Sequence, residues 1–283
     1  MYYFQSHNVS HPATYITAIS YGIIGALGLP GTICLMYIIL SNWKTRKPHE
    51  WLIFILNLSD FLFCLTNLTI EGPFNVNFST VECKVAGAIC YFLGGLSLYI
   101  PPVIAYNRYL SLYRYQKCLK MLTNRNVFIV CSSIIALSFC WLTPFIARGS
   151  LGLDDLGVCG IQVTDQLLAI VMCVVLAVNV IMYSILVFFS ARVVIKIRNH
   201  KNRITSHMQT RLISESKELI LVIIIISIIP LFTQIPSITL KFLHMLIPPS
   251  SFWLTCALSA LFPLNAALNA YITLYVIKAY RKK

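Results

Sequence analysis

Apolar stretches of roughly 20 residues, the length a helix needs to cross the hydrocarbon core of a bilayer, recur along almost the whole chain and are parted by short polar interruptions. This pattern settles the solvent first. Of the 283 residues, 58% are apolar and only 11% are charged, so a water-soluble fold would expose far more greasy surface than globular proteins carry. Seven spans are predicted at about 15–40, 50–72, 80–112, 126–147, 165–197, 215–243 and 251–275. The expectation is an all-α membrane protein, a seven-helix bundle over 15–275, with an outer segment at 1–14 and a short stub at 276–283. The long apolar region from 165 to 243 divides in two because Arg192 to Lys217 carries seven basic residues, a run that no membrane interior would hold. Residues 1–14 are polar and lack Lys and Arg, unlike the basic start of a cleaved leader, so the first span is expected to act as its own insertion signal.

Lys and Arg accumulate in cytoplasmic loops. Of the 22 basic residues, Lys84, Arg148 and Lys241 fall on the N-terminal side of the membrane and the remaining nineteen on the other. The N-terminus therefore faces outward and the C-terminus faces the cytoplasm. The net charge of +13 is a topology signal, and it gives nucleic-acid binding no support. Two sequons, Asn8-Val9-Ser10 and Asn77-Phe78-Ser79, lie in outer segments and are candidate glycosylation sites. Those at Asn57 and Asn67 fall in or near the second span and are read as chance matches.

Of the ten cysteines, Cys34, Cys64, Cys90, Cys131, Cys140, Cys173 and Cys256 lie within spans, where a thiol behaves as a small apolar group. Cys118 falls in a reducing cytoplasmic loop. Cys83 and Cys159 are left in oxidising outer segments, so a disulfide between them is expected, with two free thiols as the alternative.

One acidic residue, Asp60, lies deep within a span. Burying a carboxylate in lipid is costly, so it must face the bundle interior and find polar partners, whether it marks an ion site or only staples helices together. The candidate partners are Ser97 in the third span and Asn265 and Asn269 in the seventh, the last two four apart and hence on one helix face. Arg108 stands 25 residues after Cys83, about 37 Å of helix, enough to cross the bilayer. Alone it would read as a snorkelling interfacial charge.

Together these residues resemble the rhodopsin-like (class A) family of G-protein-coupled receptors, and the resemblance covers essentially the whole chain. Asn57-Leu58-Ser59-Asp60 is similar to the family's helix 2 motif, Asn107-Arg108-Tyr109 resembles Asp-Arg-Tyr at the family's spacing from Cys83, and Cys159 fits the partner loop. Asn265-Ala266-Ala267-Leu268-Asn269 resembles the segment leading into Asn-Pro-x-x-Tyr, and Tyr280-Arg281 suits the short helix that follows. There are departures. Thr32 stands at the helix 1 asparagine position and Ile135 near the helix 4 tryptophan, with Trp141 and Pro144 following. Helix 6 has Pro230 and Pro236 without Cys-Trp-x-Pro, and helix 7 reads Asn269-Ala270-Tyr271-Ile272-Thr273. Erosion of this kind on an intact frame is similar to the invertebrate chemoreceptors, those of nematodes especially.

The resemblance implies an outer ligand pocket and an inner cleft that opens to a heterotrimeric G protein as helix 6 swings outward, in a multi-pass protein of the plasma membrane. It implies coupling roles for Asn107, Arg108, Tyr109 and Asn269, and a sodium site at Asp60, Ser97, Asn265 and Asn269. Asn107 is neutral, so Glu215 or Glu218 is the candidate restraint on Arg108. The pocket candidates are Cys90, Tyr91, Gly94, Gln234 and Ser259, mostly uncharged and suited to an apolar or weakly polar molecule. Acidic Glu71, Glu82, Asp154, Asp155 and Asp165 leave a basic peptide open as the other ligand class. Cys90 stands where amine receptors carry an aspartate, and Pro263 stands near the position of a retinal-binding lysine, so neither a simple amine nor retinal is expected.

An ion-coupled transporter or channel is the competing class, since a lone intramembrane acid suits ion coupling, but transporters are usually built of repeated halves and no repeat is visible. An enzyme lacks residues: there is no His-Glu-x-x-His and there are no paired intramembrane acids, and His200 and His207 read as solvated. No cofactor is required by any of these motifs. Pro101-Pro102 is expected to kink the third span just above Arg108. The stub after the seventh span is expected to leave little room for regulatory phosphorylation or palmitoylation.

Overall fold

A computed structural model describes residues 11–41, 48–71, 80–113, 123–153, 159–162, 165–201, 225, 228–230, 232–240 and 252–276. Six of its helices are long and apolar enough to cross a membrane, and a shorter apolar helix at Ile228–Leu240 adds a seventh. In chain order they are α1 (His11–Ser41), α2 (Pro48–Thr66), α3 (Thr80–Tyr113), α4 (Asn124–Ala147), α5 (Gln166–Lys201), α6 (Ile228–Leu240) and α7 (Phe252–Val276). A π-helical turn, Asn67–Glu71, continues α2, and a two-stranded antiparallel hairpin, β1 (Leu151–Leu153) and β2 (Cys159–Ile161), lies between α4 and α5. Of the expected sixth span, 215–224 and 241–243 lie outside the described residues, as do Asn8, Asn77, Glu215 and Glu218.

The outward faces carry side chains that water would not tolerate, such as Phe128 at 72% and Phe232 at 70% exposure. In lipid they need no cover. Because hydrocarbon gives apolar helices no reason to associate, the bundle is held by close packing and internal hydrogen bonds. α3 is the most enclosed helix and packs against α2, α4, α5 and both strands. It runs from Thr80 to Tyr113 through Pro101 and Pro102 without a break, and both prolines are buried.

Glycine on α1 sets how near its neighbours come. A β-carbon on Gly25 would lie 2.6 Å from the Cys64 carbonyl oxygen, and one on Gly28 would lie 2.5 Å from Cys64 Sγ and 3.0 Å from Ala267. α1, α2 and α7 therefore meet almost backbone to backbone. Their contact is fixed by hydrogen bonds across the helices: Asn57 Nδ2 to the Thr32 carbonyl (2.9 Å), the Tyr21 hydroxyl to the Ser259 carbonyl (3.3 Å) and the Tyr271 hydroxyl to the Leu27 carbonyl (2.6 Å).

At the inner end, Thr123 caps the start of α4 by accepting from Asn126 N, and at the outer end Gly149, at φ 63°, turns the chain out of that helix. The hairpin that follows is tied to α3 by a Cys83–Cys159 disulfide with a Cα–Cα distance of 5.0 Å, the pairing expected from compartment. Arg148 and Asp165 bracket it with an ion pair at 2.9 Å, and Asp165 also caps α5 by accepting from Leu168 N. These contacts hold the loop over the mouth of the bundle.

Gly25→Ala is expected to cost roughly 1–3 kcal/mol, the usual price of overpacking, because the new methyl meets main chain that cannot move aside. Gly94→Ala meets a ring carbon of Phe262 at 3.0 Å, which can swing away, and is expected to cost less. Thermal inactivation of the solubilised protein measures both, and equal losses would mean that backbone contact at Gly25 is not limiting.

Candidate functional site

Asp60 is buried in the middle of the bundle. α2 carries it to the face that α3 and α7 share, and there the Ser97 hydroxyl donates to Oδ1 and Asn269 Nδ2 donates to Oδ2 at 3.0 Å. The carboxylate thus joins three helices. Asn265, one turn from Asn269 along α7, is as deeply buried, and among the described residues neither its Oδ1 nor its Nδ2 has a partner; Asn269 Oδ1 is likewise unpaired there. Among the described residues no cation is paired with Asp60. Nearby, the Ser59 hydroxyl donates to the Leu93 carbonyl at 3.1 Å, adding a second tie between α2 and α3.

The inner end of α3 faces α5. Asn107 is buried and Arg108 is half-buried. Tyr109 stacks on Tyr113 at 4.6 Å and leans on Phe189 at 5.1 Å, and Tyr106 meets the same Phe189 at 5.0 Å. The Tyr113 hydroxyl donates to the Arg192 carbonyl at 3.0 Å, while Lys196 Nζ lies 4.9 Å over the Tyr113 ring. An aromatic seam with Lys196 over its last ring therefore closes the inner end of α3 onto α5.

The five pocket candidates lie on α3, α6 and α7. Cys90 is buried in the central core cluster. Tyr91 turns to α4, edge-on to Trp141 at 6.1 Å, and Gly94 faces the Phe262 ring of α7. Ser259 lies in the α1–α7 contact with its carbonyl taken by Tyr21. Gln234 turns to α5: the Tyr183 hydroxyl donates to its Oε1 at 2.5 Å, and both residues are buried.

Several structural partners were not anticipated. The helix 4 tryptophan position near Ile135 faces outward, at 39% exposure; the indole that packs on α3 comes from Trp141, against Gly95 and beside Ser138. Thr32 does not take up the role of an asparagine, since its hydroxyl donates to the Gly28 and Leu29 carbonyls of its own helix. In Asn269-Ala270-Tyr271-Ile272-Thr273, the Thr273 hydroxyl donates to the Asn269 carbonyl and Tyr271 crosses to α1. The available signal was polar residues inside apolar spans, and it marks such groups without saying which neighbour each one meets.

The profile of the 7 transmembrane receptor (rhodopsin family) matches residues 31–278. The chain is 27% identical over 157 residues to Melanopsin-B of Gadus morhua, a match spanning 52% of this chain and 25% of that protein. To the C5a anaphylatoxin chemotactic receptor 1 of Danio rerio it is 25% identical over 147 residues, spanning 50% of this chain and 42% of the relative. The matches thus span less than half the length of either relative. Squid rhodopsin shares the fold, with a TM-score of 0.82 at 20% identity over 96% of this chain and 79% of that one. The chain belongs to the rhodopsin family of seven-transmembrane receptors, and is a multi-pass protein of the plasma membrane.

Proposed function

We infer that this receptor binds an extracellular ligand, a small molecule or a peptide, and activates a heterotrimeric G protein at the inner end of α3. The carrying observation is that a single helix bears all three anchors: the disulfide at Cys83, Ser97 on the Asp60 carboxylate, and Arg108 at the inner end, on the same helical turns as the aromatic seam of Tyr106, Tyr109 and Tyr113. Cys83 and Arg108 are about 37 Å apart along that rod. A ligand that displaces the outer end acts on the polar core and the coupling face together, and outward movement of α6 opens the inner cleft. A chemoreceptor of the invertebrate type is the sub-family reading, on the eroded switch motifs, with Asn8 and Asn77 as glycosylation sites. Light sensing through a retinal Schiff base is no part of this reading, since α7 has no lysine and carries Pro263.

A sodium ion is the proposed modulator. Asp60 offers a buried carboxylate with no paired cation among the described residues, and the unpaired Oδ1 atoms of Asn265 and Asn269 add hard oxygens of the kind such ions prefer. Asp60, Ser97, Asn265 and Asn269 would hold it, and when bound it supplies the positive charge that the carboxylate lacks.

Arg108→Ala is expected to abolish receptor-stimulated guanine nucleotide exchange in a screen of G proteins against small molecules and peptides. Undiminished exchange in that variant would remove Arg108 from the mechanism. Because Asn107 is neutral and cannot pair with the arginine as an aspartate does, Asn107→Asp is expected to lower ligand-free exchange several-fold; identical basal rates would sink the idea. Sodium is expected to shift ligand affinity in the wild type and to leave Asp60→Asn unaffected, and the sodium role fails if both respond alike.

A further inference from the structure

In α6 the usual sorting of side chains is reversed. Its described buried residues are Pro230, Thr233, Gln234 and Ser237, whereas Ile228 and Phe232 face outward at 44% and 70% exposure. Positions 230, 233, 234 and 237 follow the spacing of one helix face, so α6 shows the bundle a largely polar stripe, with Ile235 packed on the core beside it, and the lipid an apolar one. Lipid gives such a helix no hydrophobic reason to dock. The Thr233 hydroxyl is spent within the helix, donating to the Ile229 carbonyl at 2.9 Å. The Gln234 side chain crosses to the bundle, with its Oε1 accepting from the Tyr183 hydroxyl of α5 at 2.5 Å, both groups being buried. Pro236 has no N–H to give the Phe232 carbonyl, so the α6 ladder is weakened beside Gln234. Tyr183 and Leu186 belong to the same core cluster as Leu96 and Ile100 of α3, which places the bond within the bundle core.

We propose that the Tyr183–Gln234 hydrogen bond is a latch that holds α6 against α5 in the resting receptor and is broken when α6 moves out. The latch rests on the reading of α6 as the moving helix. It makes Tyr183 and Gln234 the pair that sets the balance between resting and active forms. Interhelical hydrogen bonds in membranes are modest, and loss of one shifts a two-state equilibrium by about 3- to 20-fold. A bond of that size restrains the helix without locking it. Uncharged partners also keep the restraint free of the desolvation cost of a buried ion pair.

The experiment uses the full chain in nanodiscs, with spin labels on unnatural amino acids at the outward-facing positions 128 of α4 and 228 of α6, and reads the distance distribution between them. Tyr183→Phe, which removes a single oxygen, and Gln234→Leu are each expected to enlarge the long-distance population by about 3- to 20-fold. The double variant is expected to go no further than the larger single effect, because both substitutions break one bond. Distributions that coincide with wild type overturn the latch, as do effects of the two substitutions that simply add. Basal nucleotide exchange is measured on the same samples. A shift in distance without a change in exchange would uphold the latch while counting against G-protein coupling, so the two readings fail separately. Tyr183→Phe retains the ring and its packing, and Gln234→Asn, which keeps the amide but shortens its reach, supplies a second test of the same bond should Gln234→Leu fail to fold. Gln234→Asn is expected to shift the distances in the same direction, and an unshifted distribution overturns the latch.

Discussion

A polar group inside a bilayer must find its partner within the protein, because hydrocarbon offers none. Asp60 is the most demanding case in this chain, and the arrangement of the middle of the bundle follows from it. Its two oxygens accept from Ser97 and Asn269, so α2, α3 and α7 are fixed in rotation and depth relative to one another at one level. Once those three are set, α1 can reach α2 and α7 only where it has no side chains, which is why its glycines lie at the contacts with Cys64 and Ala267. The same shortage of partners accounts for the carbonyl bonds from Asn57, Tyr21 and Tyr271: in lipid even an already bonded carbonyl is an attractive second acceptor.

Against this tightly packed group stands a different kind of contact. α3 and α5 are joined at their inner ends by rings, with Tyr106, Tyr109 and Tyr113 against Phe189 and the Arg192 carbonyl. Ring stacking tolerates small sliding movements in a way that Gly25 against the Cys64 main chain does not. The α1–α2–α7 group is therefore suited to serve as the fixed part of the molecule, and the inner α3–α5 seam is built of contacts that can rearrange.

The spans were legible because apolar length is a direct measure of bilayer thickness: their ends fall within about four residues of the helix ends wherever the structure describes them. α1 and α5 outrun their apolar stretches at His11 and Lys201, since backbone hydrogen bonding does not stop where the hydrocarbon does. Asp60, Ser97 and Asn269 were legible for a related reason, as a buried charge leaves few polar residues at its depth to choose from. The partners of Ser259 and Gln234 were not, because in a helix apolar on all sides the sequence does not say which face turns toward which neighbour: the Ser259 carbonyl meets Tyr21 of α1 and the Gln234 side chain meets Tyr183 of α5. The β1–β2 hairpin left no sign either, being only three residues long in each strand.

How α6 is attached bears on what this divergence from the family's motifs can mean. A helix sequence that has lost Cys-Trp-x-Pro and carries Thr233, Gln234 and Ser237 inward has exchanged packing of a large ring for polar contact. Packing loss is graded with displacement, because dispersion falls off gradually as surfaces separate. A hydrogen bond is more abrupt, weakening steeply once its geometry is spoiled. Replacing the first kind of restraint by the second makes the position of α6 more nearly two-valued, even where the total energy is unchanged. The frame built around Asp60 can then remain as it is while the switch beside it is remade.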